Sequence, residues 1–173
     1  MRTNVLAAAT LVALCLSATG ALAAKIVCEA EKYSSITPSM KKITEATASG
    51  HAGIQIPLRR PHATSETGPG DHGNATYKFI APVAGVYQFW GRAWWYDACG
   101  NSFFVTVENH TQYITDQTFG RWHWVAGPTF SLSAGPHTLR IQNREDGARL
   151  DEWLLTTTPK VRWEPTRIEK PTM

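Results

Sequence analysis

Short runs of β-branched and aromatic residues, each closed by glycine or proline, are the feature that most limits what this chain can become. Strand-like runs occupy residues 25–33, 52–56, 75–80, 85–95, 102–109, 122–125, 130–133, 137–143 and 150–156. Between them stand the turn-forming clusters TGPGDHGN, APVAG, YDACGN, SAGP and REDG. A run this short must pair its backbone with neighbouring strands, and glycine and proline supply the reversals that bring those neighbours alongside. Outside the N-terminal segment no apolar period of 3.6 lasts ten residues. The expected class is therefore all-β, a sandwich or barrel of antiparallel sheets.

Alternation along the runs gives an inside and an outside. In GVYQFWGRA, Tyr87, Phe89 and Gly91 share one face, and Gln88, Trp90 and Arg92 the other. Phe103, Val105 and Val107 point one way, Phe104, Thr106 and Glu108 the other; Leu139 and Ile141 face in, Arg140 and Gln142 out. Side chains alternate across a strand, so one apolar and one polar face each imply two sheets packed face to face.

The first 23 residues read as a secretory leader. Arg2 is the positive start, residues 5–16 are apolar, and Ala21-Leu22-Ala23 fits a small-residue cleavage site. A mature chain beginning at Ala24 is expected to be secreted or periplasmic. It would have about 150 residues, enough for one domain with a real core. The expected division is a leader (1–23), a β-sandwich (24–158) and a proline-bearing tail (159–173). No second long apolar run follows, so the mature chain is expected not to span a membrane. The formal charge of +3 falls to +2 without Arg2, and the basic residues are scattered. Both facts argue against a nucleic-acid partner. Cys28 and Cys99 remain after the leader; in an oxidising compartment they either pair or stay as one buried and one loop thiol.

Catalytic signatures are missing. No nucleophile elbow and no zinc-protease helix occurs, and the six histidines form no ligand set. Asp97, Asp116, Glu145, Asp146 and Glu152 are carboxylates a glycosidase could use, but none stands in a recognisable motif.

Several segments, taken in order, resemble one family. CEAEKY, ASGHAGIQIP, GNATYKFIAPVAGVYQFWGRAWW and FSLSAGPHTLRIQNREDGARLDEWLLT are similar to successive strands of carbohydrate-binding modules of families six and thirty-five. Their order and spacing carry the likeness over nearly the whole mature chain. It implies a β-sandwich jelly roll of two antiparallel sheets, galactose-binding-like, that binds an oligo- or polysaccharide without catalysis. Such modules usually accompany an enzyme, so the expected setting is a solitary sugar-binding protein or one working beside a separately encoded carbohydrate-active enzyme. A secreted or periplasmic protein-interaction or adhesion domain is the alternative, and a glycan-active hydrolase a more remote one.

The resemblance also implies a structural Ca²⁺. Glu29 and Glu31 lie two apart on the first strand and Asp151 opens the last, positions at which the family holds its metal. Hard carboxylate oxygens suit calcium. The competing reading of the same residues is a solvated polar strand face.

For the sugar, seven tryptophans are many in a chain of 173 residues. Pyranose rings expose flat C–H faces, which call for rigid aromatic platforms edged by hydrogen-bonding groups. Trp122 in GRWHW stands where the family places one wall of its cleft, and Trp124 shares its strand face. Of Trp94, Trp95 and Tyr96, three successive aromatics, at least one must point outward. Arg92, Asn101 and Arg149, with Asp97, Arg121 and His123 nearby, are the polar candidates. The family's asparagine before the closing strand is replaced here by Arg149, whose guanidinium would favour acidic sugars. Trp90 is balanced between scaffold and ligand; Trp153 is expected to pack.

Overall fold

The computed structural model describes residues 23–58 and 73–158. The tail expected from the sequence, and the leader up to residue 22, lie outside the described residues. Eleven strands follow one another: β1 (Lys25–Glu29), β2 (Ser35–Thr37), β3 (Lys41–Thr44), β4 (Ala52–Gln55), β5 (Asn74–Ala81), β6 (Gly85–Trp94), β7 (Ser102–Val107), β8 (His110–Thr115), β9 (Trp122–Leu132), β10 (Gly135–Asn143) and β11 (Arg149–Thr156). Among the described residues one 3₁₀ turn, Ser49–His51, precedes β4.

All named pairings are antiparallel and form two sheets. One runs β3-β4-β11-β6-β9, with β1 also paired to β11; the other runs β2-β5-β10-β7-β8. The sandwich expected from turn spacing and alternation is the fold observed. β11 is the hinge of the first sheet, because its start pairs with β4 and its remainder with β1 along the same edge.

The core lies between the sheets. Tyr87, Phe89, Ala93 and Trp95 from β6 and its end meet Phe103, Val105, Leu139 and Ile141 from the facing sheet, all buried. Trp153 packs edge-on against Tyr77 and Phe79, with ring centroids 5.4 and 5.8 Å away. The Tyr77 hydroxyl reaches across to donate to the Ala30 carbonyl at 2.7 Å, which satisfies a buried polar tip. Gly127 is required by close approach, since a Cβ there would stand 2.6 Å from Ile114 and 2.8 Å from Phe89.

The differences from the expected strands have local causes. The runs 122–125 and 130–133 are one strand, β9, which passes through Gly127 and Pro128 without stopping. Proline is tolerated because β9 is an edge strand, where its missing N–H breaks no ladder bond. β2, β3 and β8 were not expected; β2 and β3 are short, and β8 buries only Ile114, so none carries a clear alternation. Gln142 faces away from the core as expected, yet is fully buried beneath its neighbours and accepts a hydrogen bond from Thr106. Cys28 and Cys99 are both free thiols, the first half-buried and the second exposed. Burial, with the nearby Glu31 and Glu29 carboxylates, pushes the Cys28 thiol up to about 11, so it stays protonated at neutral pH.

Candidate functional site

The outward face of the β1/β11/β6/β9 sheet carries most of the side chains singled out in the sequence. Alternation on β6 sends Gln88, Trp90, Arg92 and Trp94 to this face while Tyr87, Phe89, Gly91 and Ala93 go to the core. Register then sets three rows across the strands. Arg149, Trp94 and Trp122 lie abreast at one end; Glu29, Glu152, Arg92 and Trp124 form the middle row; Val27, Leu154, Trp90 and Ala126 form the third.

The first row is an aromatic shelf edged by cations. The Arg149 guanidinium lies over the Trp94 ring at 4.2 Å from its centroid and donates to Glu45 Oε2 at 3.0 Å. The Trp122 indole N–H donates to Thr47 Oγ1 at 3.1 Å, and Arg92 approaches the same ring at 5.6 Å. Glu45 Oε1 accepts from the Thr47 hydroxyl at 2.9 Å and from its backbone N–H at 3.3 Å. These bonds, with Arg149, hold the Glu45 carboxyl below its ordinary value. Both indole faces are thus oriented by fixed polar groups and remain half-exposed. Tyr96 extends the shelf; its ring centroid is 6.3 Å from that of Trp94, and its exposed side chain rests on Gly147.

Thr47 and Glu45 were not expected to matter. They come from the segment after β3 and reach the shelf only because β3, β4 and β11 pair side by side. No local pattern marks them.

Two of the expected contacts leave the candidate set. Trp95 is fully buried: one residue beyond Trp94 on the same extended chain, it turns to the core, where its N–H donates to Asp116 Oδ1 at 3.0 Å. Asn101 is also buried, donating its side-chain N–H to the Asp116 carbonyl at 2.8 Å and its backbone N–H to Glu145 Oε2 at 3.2 Å. Asp116 is the organiser that the sequence did not reveal. Its carboxylate also contacts His123 Nε2 at 3.0 Å and accepts the Thr118 N–H at 2.8 Å. It thereby fixes the loop that leads into Trp122. Asp97 caps the turn after Tyr96 by accepting the Cys99 N–H at 2.8 Å.

The middle row is ionic. The register of β11 against β6 shifts between Leu150 and Glu152, so Asp151 occupies a bulge. Arg92, whose strand partner is Glu152, also forms an ion pair with Asp151. Across the bulge the Asp151 carbonyl accepts the Ala30 N–H at 2.7 Å, which brings the Glu29-Ala30-Glu31 segment against Asp151. Ala30 is buried, and Ala30 and Glu31 form the turn after β1, where Glu31 Oε1 comes beside Gly50. Glu29 Oε1 accepts from the Ser49 hydroxyl at 2.9 Å. Each of the three acids keeps one buried oxygen with no hydrogen-bond partner: Glu29 Oε2, Glu31 Oε2 and Asp151 Oδ1. As placed, no three His, Cys, Asp or Glu side chains among the described residues form a group that would hold a metal ion. The acids are neighbours rather than an assembled ligand set. Their orphaned oxygens carry more weight, because a buried carboxylate oxygen without a donor is costly and a cation removes that cost. Burial, then repulsion from Glu29, raises the Glu152 carboxyl beside them.

No family model matches the sequence, and no curated protein matches it. Solved structures do share its fold. A family 35 carbohydrate-binding module from Clostridium thermocellum superposes with a TM-score of 0.60 at 16% identity, over 76% of this chain and 97% of that one. The C-terminal family 6 module of LamC, a marine laminarinase from Zobellia galactanivorans, gives 0.57 at 19% identity, over 78% and 100%. The GH26-CBM35 β-(1,4)-mannanase of Podospora anserina gives 0.58 at 17% identity; 80% of this chain is covered, but only 29% of the mannanase. At such identities the likeness establishes the β-sandwich and nothing finer.

Proposed function

We propose that the chain is an exported, non-catalytic carbohydrate-binding module whose sugar rings stack on the Trp94–Trp122 shelf. The observation that carries this reading is the shelf itself: two half-exposed indoles abreast on one sheet face, edged by Arg149, Arg92, Glu45 and Thr47. An isolated exposed tryptophan needs no explanation, but two oriented side by side form a platform suited to the C–H faces of pyranoses. Trp124 and Tyr96 widen it. The guanidiniums already have carboxylate partners, so they serve first to position the rings and only second to meet a ligand's hydroxyl or acidic group.

A non-catalytic role fits the employment of the acids. Asp116 braces the loop before β9, Glu145 holds Ser102 and Asn101, and Asp97 caps a turn. None of these three lies in the row that carries the shelf, and Glu152 stands in the ionic row between Glu29 and Arg92.

Calcium belongs to the same proposal. Glu29, Glu31 and Asp151 would hold it, and the ion would neutralise three neighbouring carboxylates and tie the first strand to the last. It would stabilise the fold and would not touch the sugar.

The test is retention on polysaccharide affinity gels containing β-1,4-mannan, β-1,3-glucan or β-1,3-galactan, in calcium-replete buffer. The wild type is expected to be retarded on at least one gel, and Trp122→Ala to migrate as on a gel without polysaccharide. Absence of retention on all three and across a glycan array would favour a protein-interaction domain instead. Release of reducing ends, abolished by a single carboxylate substitution, would make it an enzyme.

A further inference from the structure

The two ends of the sandwich are built from opposite chemistry. At the end that carries the shelf, the β6–β7 and β10–β11 connections hold Asp97, Arg144, Glu145 and Asp146. At the other end, the β5–β6 connection reads Pro82-Val83-Ala84 and the β9–β10 connection Ser133-Ala134, neither with a charged side chain. The pairing of Gly135 with Ala81 and of Gly85 with Leu132 brings these two turns to the same end. Ile80, Val83 and Val86 are 71%, 37% and 58% exposed there, and Pro82, Ala134 and Pro136 are exposed with them. A single exposed aliphatic residue is ordinary, but apolar residues gathered on adjoining turns form a patch that is costly to leave in water.

The last strand ends on this patch. β11 runs beside β6 from Trp94 to Gln88, so its end at Thr156 is directed toward Val86. Thr157 is pinned there: its N–H donates to the Ala24 carbonyl at 3.0 Å, and its Oγ1 accepts the Ala24 N–H at 2.9 Å. The chain bends at Thr157, and a Cβ on Gly85 would lie 3.4 Å from Thr157 Cγ2. The sequence that follows has a pattern of its own. Pro159, Val161 and Trp163 alternate with Lys160, Arg162 and Glu164. A period of two with one apolar side is the pattern of an extended segment laid on an apolar surface. From Thr158 to Trp163 an extended segment spans about 16 Å, whereas neighbouring strands stand about 4.8 Å and packed sheets about 10 Å apart.

We propose that the C-terminal segment, residues 159–168, crosses this end of the sandwich and that Trp163 covers Val83 and Val86. Three observations select the chain's own segment as the occupant. The last strand delivers it to the patch, its length is enough to cross both sheets, and its alternation offers an apolar side to the patch and a charged side to solvent. The shelf lies at the far end of β6, where Trp94 is about 26 Å from Val86 along the strand. The closure is therefore independent of the sugar-binding reading, and each can fail without the other.

The experiment is a double-mutant cycle on the full chain, read by thermal unfolding of the wild type, Val86→Asp, Trp163→Ala and the two combined. Val86 is exposed, so Val86→Asp opens no cavity and on a bare surface would leave the melting temperature unchanged. With the segment in place, each single substitution is expected to lower it by about 5 °C. The combined variant should fall no further than the larger single one, because both remove the same contact. A Val86→Asp protein that melts as the wild type does, or losses that add in the combined variant, overturns the closure. Limited trypsin digestion gives a second readout: cleavage after Arg162 should be slow in the wild type and at least ten-fold faster in Val86→Asp. Equal cleavage of the two overturns the closure as well. A wild type that sediments as a dimer, with a melting temperature that rises with concentration, assigns the patch to a second copy of the chain and overturns it too.

Discussion

The two faces of the β1/β11/β6/β9 sheet are both rich in tryptophan, and they use it in opposite ways. On the inner face Trp153 is sealed among Tyr77 and Phe79, and Trp95 among Phe103 and the His123 ring. On the outer face Trp94 and Trp122 have guanidiniums for neighbours and keep an open side. Aromatic against aromatic excludes water and stabilises the fold. Aromatic against cation holds a ring in place while it remains partly wet. Residue type does not separate a core tryptophan from one on the outer face; the groups packed on it do.

The contrast can be broken most forcefully from the inside. Trp153→Ala leaves a large cavity between the sheets and is expected to cost about 3–5 kcal/mol in denaturant unfolding. The fraction that still folds should be retained on the polysaccharide gels as the wild type is. A loss under 1 kcal/mol would mean that the inner face is packed much more loosely than its contacts imply.

Next comes the ionic row. Calcium at a hundredfold over its dissociation constant is expected to raise stability by about 2.7 kcal/mol, a shift of roughly 5–10 °C in thermal unfolding. Glu31→Gln should abolish the shift. If chelator and calcium give superimposable melts of the wild type, the acids are a polar strand edge and not a metal site.

Trp122→Ala sharpens the comparison from outside. It is expected to lose about 2 kcal/mol of sugar binding, some thirty-fold in affinity, while its melting temperature changes by only a few degrees. A large fall in melting temperature would move Trp122 into the scaffold.

The smallest effect concerns the bracing of the shelf. Glu45 titrates lower when folded than its ordinary value of 4.5, because Thr47 and Arg149 bond to its charged form. A depressed folded pKa contributes stability that is present above the unfolded value and lost as pH falls through the folded one. Tryptophan fluorescence should therefore change in a step below pH 4.5, and the Glu45→Gln protein should lack that step.

Much of this was legible beforehand, and for a simple reason. Where a strand has one apolar and one polar face, as β6, β7 and β10 do, alternation fixes the side of every residue. Tyr87, Phe89 and Gly91 were placed correctly by it. Where a strand carries a single buried apolar residue among polar ones, as β8 does with Ile114, the same rule has little to act on. Trp94 and Trp95 illustrate its reach: three successive aromatics cannot share a face, but alternation alone did not say which one turned in. Asn101 looked like a loop ligand because nothing nearby in sequence revealed Asp116 and Glu145 as its partners.

The sequence by itself determined an all-β chain, its two-layer packing and the division of most strands into inner and outer faces. These follow from a period of two and from turn chemistry, both local. Glu31, expected on the first strand with Glu29, lies instead in the turn that follows β1. Tertiary structure alone decided that Arg149, Trp94 and Trp122 lie abreast, that Thr47 and Glu45 brace them, and that the bulge at Asp151 meets the segment around Ala30. Each of these depends on which strands pair and in what register. That choice is set by burying the whole core at once, and no short stretch of the chain contains it.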